Sequence, residues 1–136
     1  MLRFDNPNND EWLNKYNKLV EDVELGVKSF SDRETLEEGK LGLHHIIPRS
    51  VSPELKDNKE NHIYLPFKEH MDMHYWLWRY DPKYAPQLWF GCVYGRKNGL
   101  WDLPGGDIEY EKLKEDVKKY RKRKSRNGDT GKDFLE

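Results

Sequence analysis

The sequence LGLHHII at residues 41–47 decides the fold, together with HIYL at 62–65 and the helical pattern of Lys68–Arg79. The first segment is apolar and β-branched apart from its histidine pair, so we predict a strand that Pro48 ends. The second is a shorter strand, ended by Pro66. Apolar residues then recur at helical spacing, which predicts a helix directly after the two strands.

Further helices are predicted on both sides of this core. At the N-terminal side we predict a helix over about residues 9–26, capped by Asn9, and a short helix near Asp32–Glu38. At the C-terminal side we predict a helix over Ala85–Tyr94, a loop, and a basic helix over about 107–126 capped by Asp107. The predicted class is α+β, as one domain spanning residues 1–136 with its core at about 37–80.

Composition limits the class of protein. The chain has 136 residues, of which 35% are hydrophobic, 36% charged and 13% aromatic, a profile that is polar but too rich in Trp and Tyr for a disordered chain. Cys92 is the single cysteine, which excludes an internal disulfide and a multi-cysteine zinc site. No apolar run approaches the roughly 18 residues of a membrane span, and the start lacks the apolar core of a signal peptide. We therefore expect a cytoplasmic protein.

The net charge of −1 hides a basic segment at the C-terminal end of the chain. Residues 1–40 carry a net charge of −4, residues 41–111 carry −2, and residues 112–136 carry +5. Nine lysines and arginines lie within residues 112–126, against Glu115 and Asp116. Such a block typically contacts an anionic partner such as nucleic acid, although a solvated helix end rich in lysine is the alternative.

All five histidines lie between residues 44 and 74, and this clustering is the strongest chemical signal in the sequence. His70 and His74 are four residues apart on the predicted helix, so they share one face with Cβ atoms about 5–6 Å apart. Two imidazoles at that spacing can bind one divalent ion with bonds of about 2.0–2.1 Å. His44 and His45 are adjacent on a strand and point to opposite faces, which suits one of them to hold a metal and the other to act differently.

A purely structural interpretation stands beside this one. Histidine pairs four residues apart often lie on a surface or fill a core, and His44 and His45 could be buried with their rings hydrogen-bonded to the backbone. We assign His62 no chemical role, because it is a strand residue with no obvious partner. The order of the elements favours the metal interpretation: a His-His strand, a strand that begins near Asn61, and a His-x-x-x-His helix.

Three segments, HHIIPR at 44–49, ENHIYL at 60–65 and KEHMDMH at 68–74, together resemble an HNH (His-Me finger) endonuclease. More narrowly, the chain is similar to the small phage-encoded HNH endonucleases, over residues 37–80. The asparagine follows the second histidine by sixteen residues, and the helix histidines follow that asparagine by nine and thirteen. The resemblance implies a ββα-metal hairpin–helix core with helices on both sides.

The resemblance also implies a role for each residue of the motif. His44, His70 and His74 match the ligands of one divalent metal ion. His45 matches the general base that activates water, and Asn61 matches the asparagine that ties the loop and orients the strand carrying the base.

The remaining expectations concern the ion and the substrate. Three neutral imidazoles favour Zn²⁺, Ni²⁺, Mn²⁺ or Co²⁺ over Mg²⁺ in affinity, whereas relatives often use Mg²⁺ or Mn²⁺. Arg49 and Lys68 stand where basic residues often touch phosphate. With DNA as the substrate, the basic block would contact the duplex backbone, through residues including Lys118, Lys119, Arg121 and Lys122.

The implied function is a metal-dependent DNA endonuclease, acting with one metal ion and a histidine base to give a 5′-phosphate and a 3′-hydroxyl. Its partner would be double-stranded DNA in the cytoplasm of a phage's bacterial host, and the enzyme would act alone in the homing manner or with phage packaging proteins. Two alternatives stay open. One is a non-catalytic metal- and DNA-binding module, and the other is a ribonuclease of the same fold.

Overall fold

The computed structural model describes residues 1–30 and 41–121, and it confirms the α+β class. The predicted short helix at Asp32–Glu38 lies outside the described residues. The elements, in chain order, are helix α1 (Glu11–Glu24), strands β1 (Gly42–His45) and β2 (His62–Leu65), and helices α2 (Phe67–Tyr80), α3 (Ala85–Asn98) and α4 (Gly106–Tyr120). Short 3₁₀ turns occupy Pro53–Leu55, Lys59–Asn61 and Pro82–Tyr84.

The two strands form an antiparallel hairpin whose register determines which face each histidine occupies. His44 lies opposite Ile63, and His45 lies opposite His62. Because successive side chains on a strand point to opposite faces, the first pair faces the core and the second faces outward. The exposed fractions agree, since His44 is 2% exposed and Ile63 is 1% exposed.

Helix α2 is buried on two faces and separates two apolar clusters. Met73 and Leu77 pack with α1 and the hairpin, while Met71, Tyr75 and Trp78 pack with α3 and α4. Tyr80, at the end of the helix, is 38% exposed and belongs to neither cluster. The two helix histidines, His70 and His74, are partly buried.

Helix α1 begins one residue later than predicted. Asp10, rather than Asn9, is the N-cap, and its carboxylate accepts hydrogen bonds from the amides of Trp12 at 2.8 Å and Leu13 at 3.1 Å. Asn9 has a φ of +52° and serves the turn before the helix. The helix ends as predicted just before Gly26, whose φ of +77° suits glycine.

The boundaries of α3 and α4 also differ from the prediction. Helix α3 continues past Tyr94 to Asn98 and ends at Gly99, whose φ of +69° is the left-handed conformation that suits glycine at a helix end. Helix α4 starts at Gly106, so Asp107 lies in its first turn and pairs with Arg96 instead of capping the helix.

Helix α4 ends at Tyr120, because Arg121 is already extended, and the remainder of the predicted basic helix, residues 122–126, lies outside the described residues. Val117 is the last residue of α4 in the apolar cluster. Among the residues that the structure describes, no helix is both long and apolar enough to cross a membrane.

Candidate metal centre

Helix α2 presents His70 and His74 side by side near its N-terminal end. Pro66 precedes the first turn, and the four-residue spacing places both rings on one face. Their Nε2 atoms lie 3.2 Å apart. Two ligands of a tetrahedral ion with bonds of about 2.0–2.1 Å are separated by about 3.3 Å, so this spacing suits a shared ion.

The hairpin adds the third imidazole. The His44 ring centroid lies 5.0 Å from that of His70 and 4.8 Å from that of His74. One ligand nitrogen from each of the three rings lies within 4.8 Å of the others. Gly42 makes the approach possible, because a Cβ on this residue would lie 3.2 Å from Nδ1 of His70.

Tyr16, on helix α1, fixes the tautomer of His44. The Tyr16 hydroxyl donates its hydrogen to the carbonyl oxygen of Ile46 at 2.6 Å, and its oxygen lies 2.7 Å from Nε2 of His44. Since a hydroxyl has one hydrogen, it must accept from His44, which therefore carries its proton on Nε2. The lone pair of Nδ1 is left to bind a metal ion.

Burial keeps all three rings neutral. It lowers the pKa of His70 to about 4 and lowers the pKa of His44 and of His74 well below the usual 6.5. For His44 and His74, repulsion from neighbouring histidines lowers the pKa further. Neutral imidazoles are the form that binds divalent transition metals, so no proton has to leave the site at neutral pH.

The residues present fit one divalent ion of the transition series. Three nitrogen donors leave at least one coordination position open, which is the pattern of catalytic rather than closed structural zinc sites. With Nε2 of His74 facing the ion, the buried Nδ1 of this ring would carry its proton, and this atom has no hydrogen-bond partner. Nothing in the donor set chooses among Zn²⁺, Mn²⁺ and Ni²⁺, while Mg²⁺ prefers oxygen ligands.

His45 lies on the outer face of the hairpin and pairs with His62. The two ring centroids are 5.1 Å apart, and both Nε2 atoms lie near the carbonyl oxygen of Lys56, at 3.0 Å for His45 and 2.7 Å for His62. A carbonyl only accepts, so each neutral ring donates from Nε2 and keeps a lone pair on Nδ1. His62 therefore has a ring partner and a hydrogen-bond partner that were not obvious from the sequence.

Asn61 joins the loop between the strands to the end of β1. It is 1% exposed, its Oδ1 accepts from the amide of Ile47 at 2.8 Å, and its Nδ2 donates to the Ile47 carbonyl at 3.0 Å. A longer contact of 3.4 Å reaches the carbonyl of Leu55. This amide therefore holds the chain directly after His45 in one position.

The predicted phosphate-contacting residues are spread over two surfaces. Lys68 forms an ion pair at 2.8 Å with Asp72 on the surface of α2. Arg49 and Arg121 line one cleft, although 72 residues of chain separate them. Lys118 and Lys119 lie exposed in the last turn of α4, and Lys122 lies outside the described residues.

Sequence reasoning missed Tyr16 and His62 as members of the site. Tyr16 is 28 residues from its histidine partner and belonged to an ordinary apolar helix face, so no local signal marked it. His62 had a signal, because pairing the two predicted strands in register places it opposite His45. No protein-family model, no curated protein and no solved structure matches this chain.

Proposed function

We propose that this protein is a metal-dependent DNA endonuclease built on a ββα-metal hairpin–helix core. The observation that carries the proposal is the convergence of His44, His70 and His74, whose ligand nitrogens lie within 4.8 Å of one another. A strand hairpin followed directly by a helix supplies all three, in the order that the HNH resemblance predicts. His45 and Asn61, the other two residues of the motif, lie beside the same strand end.

The three ligand residues would hold the ion from the protein side. A divalent ion held there would act as a Lewis acid on the phosphate and on its leaving group. Tyr16 keeps His44 in the tautomer that binds through Nδ1. The low pKa values of the three ligand histidines, the histidine triad, keep the lone pairs of these rings available.

His45 is the proposed general base. Its Nε2 donates to the Lys56 carbonyl, so Nδ1 has the lone pair that takes a proton from the attacking water. The carbonyl oxygen then stays in place to stabilise the imidazolium that forms. The activated water forms a new bond to phosphorus, the bond from phosphorus to the 3′ oxygen breaks, and this oxygen takes a proton from solvent, which gives a 5′-phosphate and a 3′-hydroxyl.

Asn61 and His62 position the base in this proposal. Asn61 fixes the backbone at Ile47, two residues after His45, and His62 packs edge-on against the His45 ring. Misplacing a reacting group by about 1 Å can lower the rate about 100-fold. These two residues therefore act through His45 and touch no substrate.

A supercoiled-plasmid nicking assay tests the proposal. Wild-type protein with Mn²⁺, Zn²⁺, Ni²⁺ or Mg²⁺ is compared with wild-type protein in EDTA and with His45→Ala. We expect conversion to the nicked or linear form with at least one ion, and none in EDTA or with His45→Ala. Duplex and RNA substrates run side by side separate a deoxyribonuclease from a ribonuclease. Absence of cutting with every ion, while the metal still binds, would leave a non-catalytic binding module.

A further inference from the structure

A cleft of about 680 Å³ lies outside the metal centre and is unused by the proposed chemistry. Its walls come from the loop after β1, the turn that precedes α3, the first half of α3 and the end of α4. The lining residues that matter here are Arg49, Lys83, Gln87, Phe90, Tyr120 and Arg121.

The cleft is cationic. Three of its lining residues, Arg49, Lys83 and Arg121, carry positive charge, and none of the lining residues is acidic. The Lys83 ammonium lies 3.8 Å from a carboxylate oxygen of Asp81. Beside the cleft, the Lys119 ammonium lies 5.3 Å from the centre of the Tyr120 ring. An anionic ligand would meet complementary charge in this cleft.

The cleft also offers open aromatic rings. Tyr84 is 3% exposed, and Trp89 is stacked on Tyr110 with centroids 5.5 Å apart, so both of these lining rings are already packed. Phe90 is 58% exposed and Tyr120 is 38% exposed. A planar ligand could therefore stack on these two rings without displacing the core.

Gln87 is a polar lining residue of the cleft. Nε2 of Gln87 donates to the Ser50 hydroxyl at 3.2 Å, while its Oε1 is buried without a hydrogen-bond partner. A primary amide is the group that pairs with the edge of a nucleobase. Rotation of the Gln87 side chain would bring this unused capacity into the cleft.

We propose that this cleft binds unpaired nucleotides of a single-stranded nucleic-acid segment. Arg49, Lys83 and Arg121 contact the phosphates, and the bases stack on Phe90 and Tyr120, the combination used by proteins that bind single strands. The proposal rests on the nuclease function and deepens it. The substrate would be a nucleic acid in which a single-stranded segment adjoins the bond to be cut.

The position of the cleft along the chain suits that substrate. Arg49 follows His45 by four residues, so their Cα atoms are at most about 14 Å apart. A strand lying in the cleft would therefore reach the proposed base within a few nucleotides.

Two other occupants are disfavoured by charge. A second copy related by two-fold symmetry would place the same cations opposite one another. The chain's own residues 122–136 begin with Lys122, Arg123 and Lys124, which would repel the cationic walls. Self-association is nevertheless an outcome that the test can reveal.

The test is a fluorescence-anisotropy titration in EDTA, in which full-length protein is added to a labelled ten-nucleotide single strand, either oligo-dT or oligo-U. We expect Phe90→Leu, which keeps an apolar side chain and loses the ring, to weaken binding of at least one oligonucleotide about 5- to 100-fold. Phe90→Trp should retain or strengthen binding. Arg49→Gln should weaken it and reduce the salt dependence. Tyr64→Ala is the matched control, because this ring is 54% exposed but does not line the cleft.

Several results would overturn the inference. These are wild-type protein that binds neither oligonucleotide, equal affinity of Phe90→Leu and wild type, and equal losses for Tyr64→Ala and Phe90→Leu. A Phe90→Leu variant that turns a dimer into a monomer without changing oligonucleotide affinity would assign the cleft to self-association. EDTA prevents turnover, so oligonucleotide binding is measured independently of cleavage. Wild-type protein that binds the oligonucleotides but does not nick plasmid with any metal ion would contradict the nuclease proposal and leave the cleft as a binding site.

Discussion

The hydroxyl oxygen of Tyr16 lies 2.7 Å from Nε2 of His44, and this contact joins helix α1 to the candidate metal centre. Tyr16 is fully buried and donates its hydrogen to the Ile46 carbonyl, so its oxygen is available only as an acceptor. A helix outside the His-His and His-x-x-x-His segments thus sets the orientation and tautomer of one candidate ligand. Groups that hold a ligand in this way commonly change metal affinity as much as a weak ligand does.

Tyr16→Phe should weaken metal binding about 10- to 100-fold, because His44 loses the acceptor that fixes its tautomer. The buried Ile46 carbonyl also loses its donor, so the free energy of unfolding should fall by about 1–3 kcal/mol. Isothermal titration calorimetry with Zn²⁺ and urea unfolding in EDTA measure the two effects.

Tyr75→Phe is the matched control for that variant. Tyr75 is also buried, and its hydroxyl donates to Glu109 at 2.7 Å, on the side of α2 that faces α4. We expect this variant to lose stability while keeping the metal affinity of the wild type. Equal metal affinities for Tyr16→Phe and wild type would show that the phenol has no part in the centre.

Acid should destabilise the metal-free protein below about pH 6.5. The folded state holds the pKa of His70 at about 4 and those of His44 and His74 below their usual range, while the unfolded chain takes up protons at about pH 6.5. The unfolded state therefore binds more protons between pH 6.5 and 4, and stability falls as the pH falls. Each histidine contributes up to about 1.4 kcal/mol per pH unit in this window.

Urea unfolding at several pH values, in EDTA, measures this dependence. His70→Gln should show a shallower fall of stability between pH 6.5 and pH 5 than the wild type, by about one proton. Parallel curves for the two proteins would mean that His70 is protonated alike in the folded and unfolded states.

His45→Ala should remove plasmid nicking without changing the affinity for the metal, because this ring lies on the opposite face of β1 from the triad. His62→Ala should reduce nicking about tenfold, since His45 would keep its Lys56 carbonyl but lose its packing partner. Nicking time courses and Zn²⁺ calorimetry on both variants test this pair. Retained nicking by His45→Ala would remove the general-base assignment.

The histidine positions were predictable from sequence because they depend on short-range periodicity. Four-residue spacing brings His70 and His74 together on any helix, and strand alternation separates His44 from His45 on any strand. The strand at 62–65 was predicted with correct bounds, since Pro66 marks its end. These features depend only on backbone geometry and on the nearest residue, such as Pro66, that ends an element.

Features that depend on contacts distant in sequence were not predictable in the same way. Helix α2 buries two faces because α1 packs on one side and α4 on the other. The sequence of residues 67–80 alone does not indicate which helices pack against it. Ile108, an apolar residue in the first turn of α4, is 87% exposed, because α4 packs through Leu113 and Val117. Asp107 was expected to cap α4, but Arg96 from α3 takes its carboxylate.

Neutralising Lys118, Lys119, Arg121 and Lys122 to Gln should flatten the salt dependence of duplex binding. Each phosphate contact that is lost should reduce the slope of log K against log salt by about 0.9. Anisotropy titrations of a labelled duplex at several salt concentrations, in EDTA, measure the slope. Lys28→Gln with Lys97→Gln serves as the control, because both lysines are exposed and lie outside the basic block. An unchanged slope in the fourfold variant would make the block a solvated surface.

The metal centre itself is tested most directly by an anomalous difference map of a crystal soaked in Zn²⁺. We predict one dominant peak within about 2.0–2.3 Å of a nitrogen from each of His44, His70 and His74, with Nδ1 as the ligand atom of His44. The same soak of His74→Ala crystals should give a much weaker peak. A wild-type map with no peak between these three rings, or with the zinc bound elsewhere, would contradict the account.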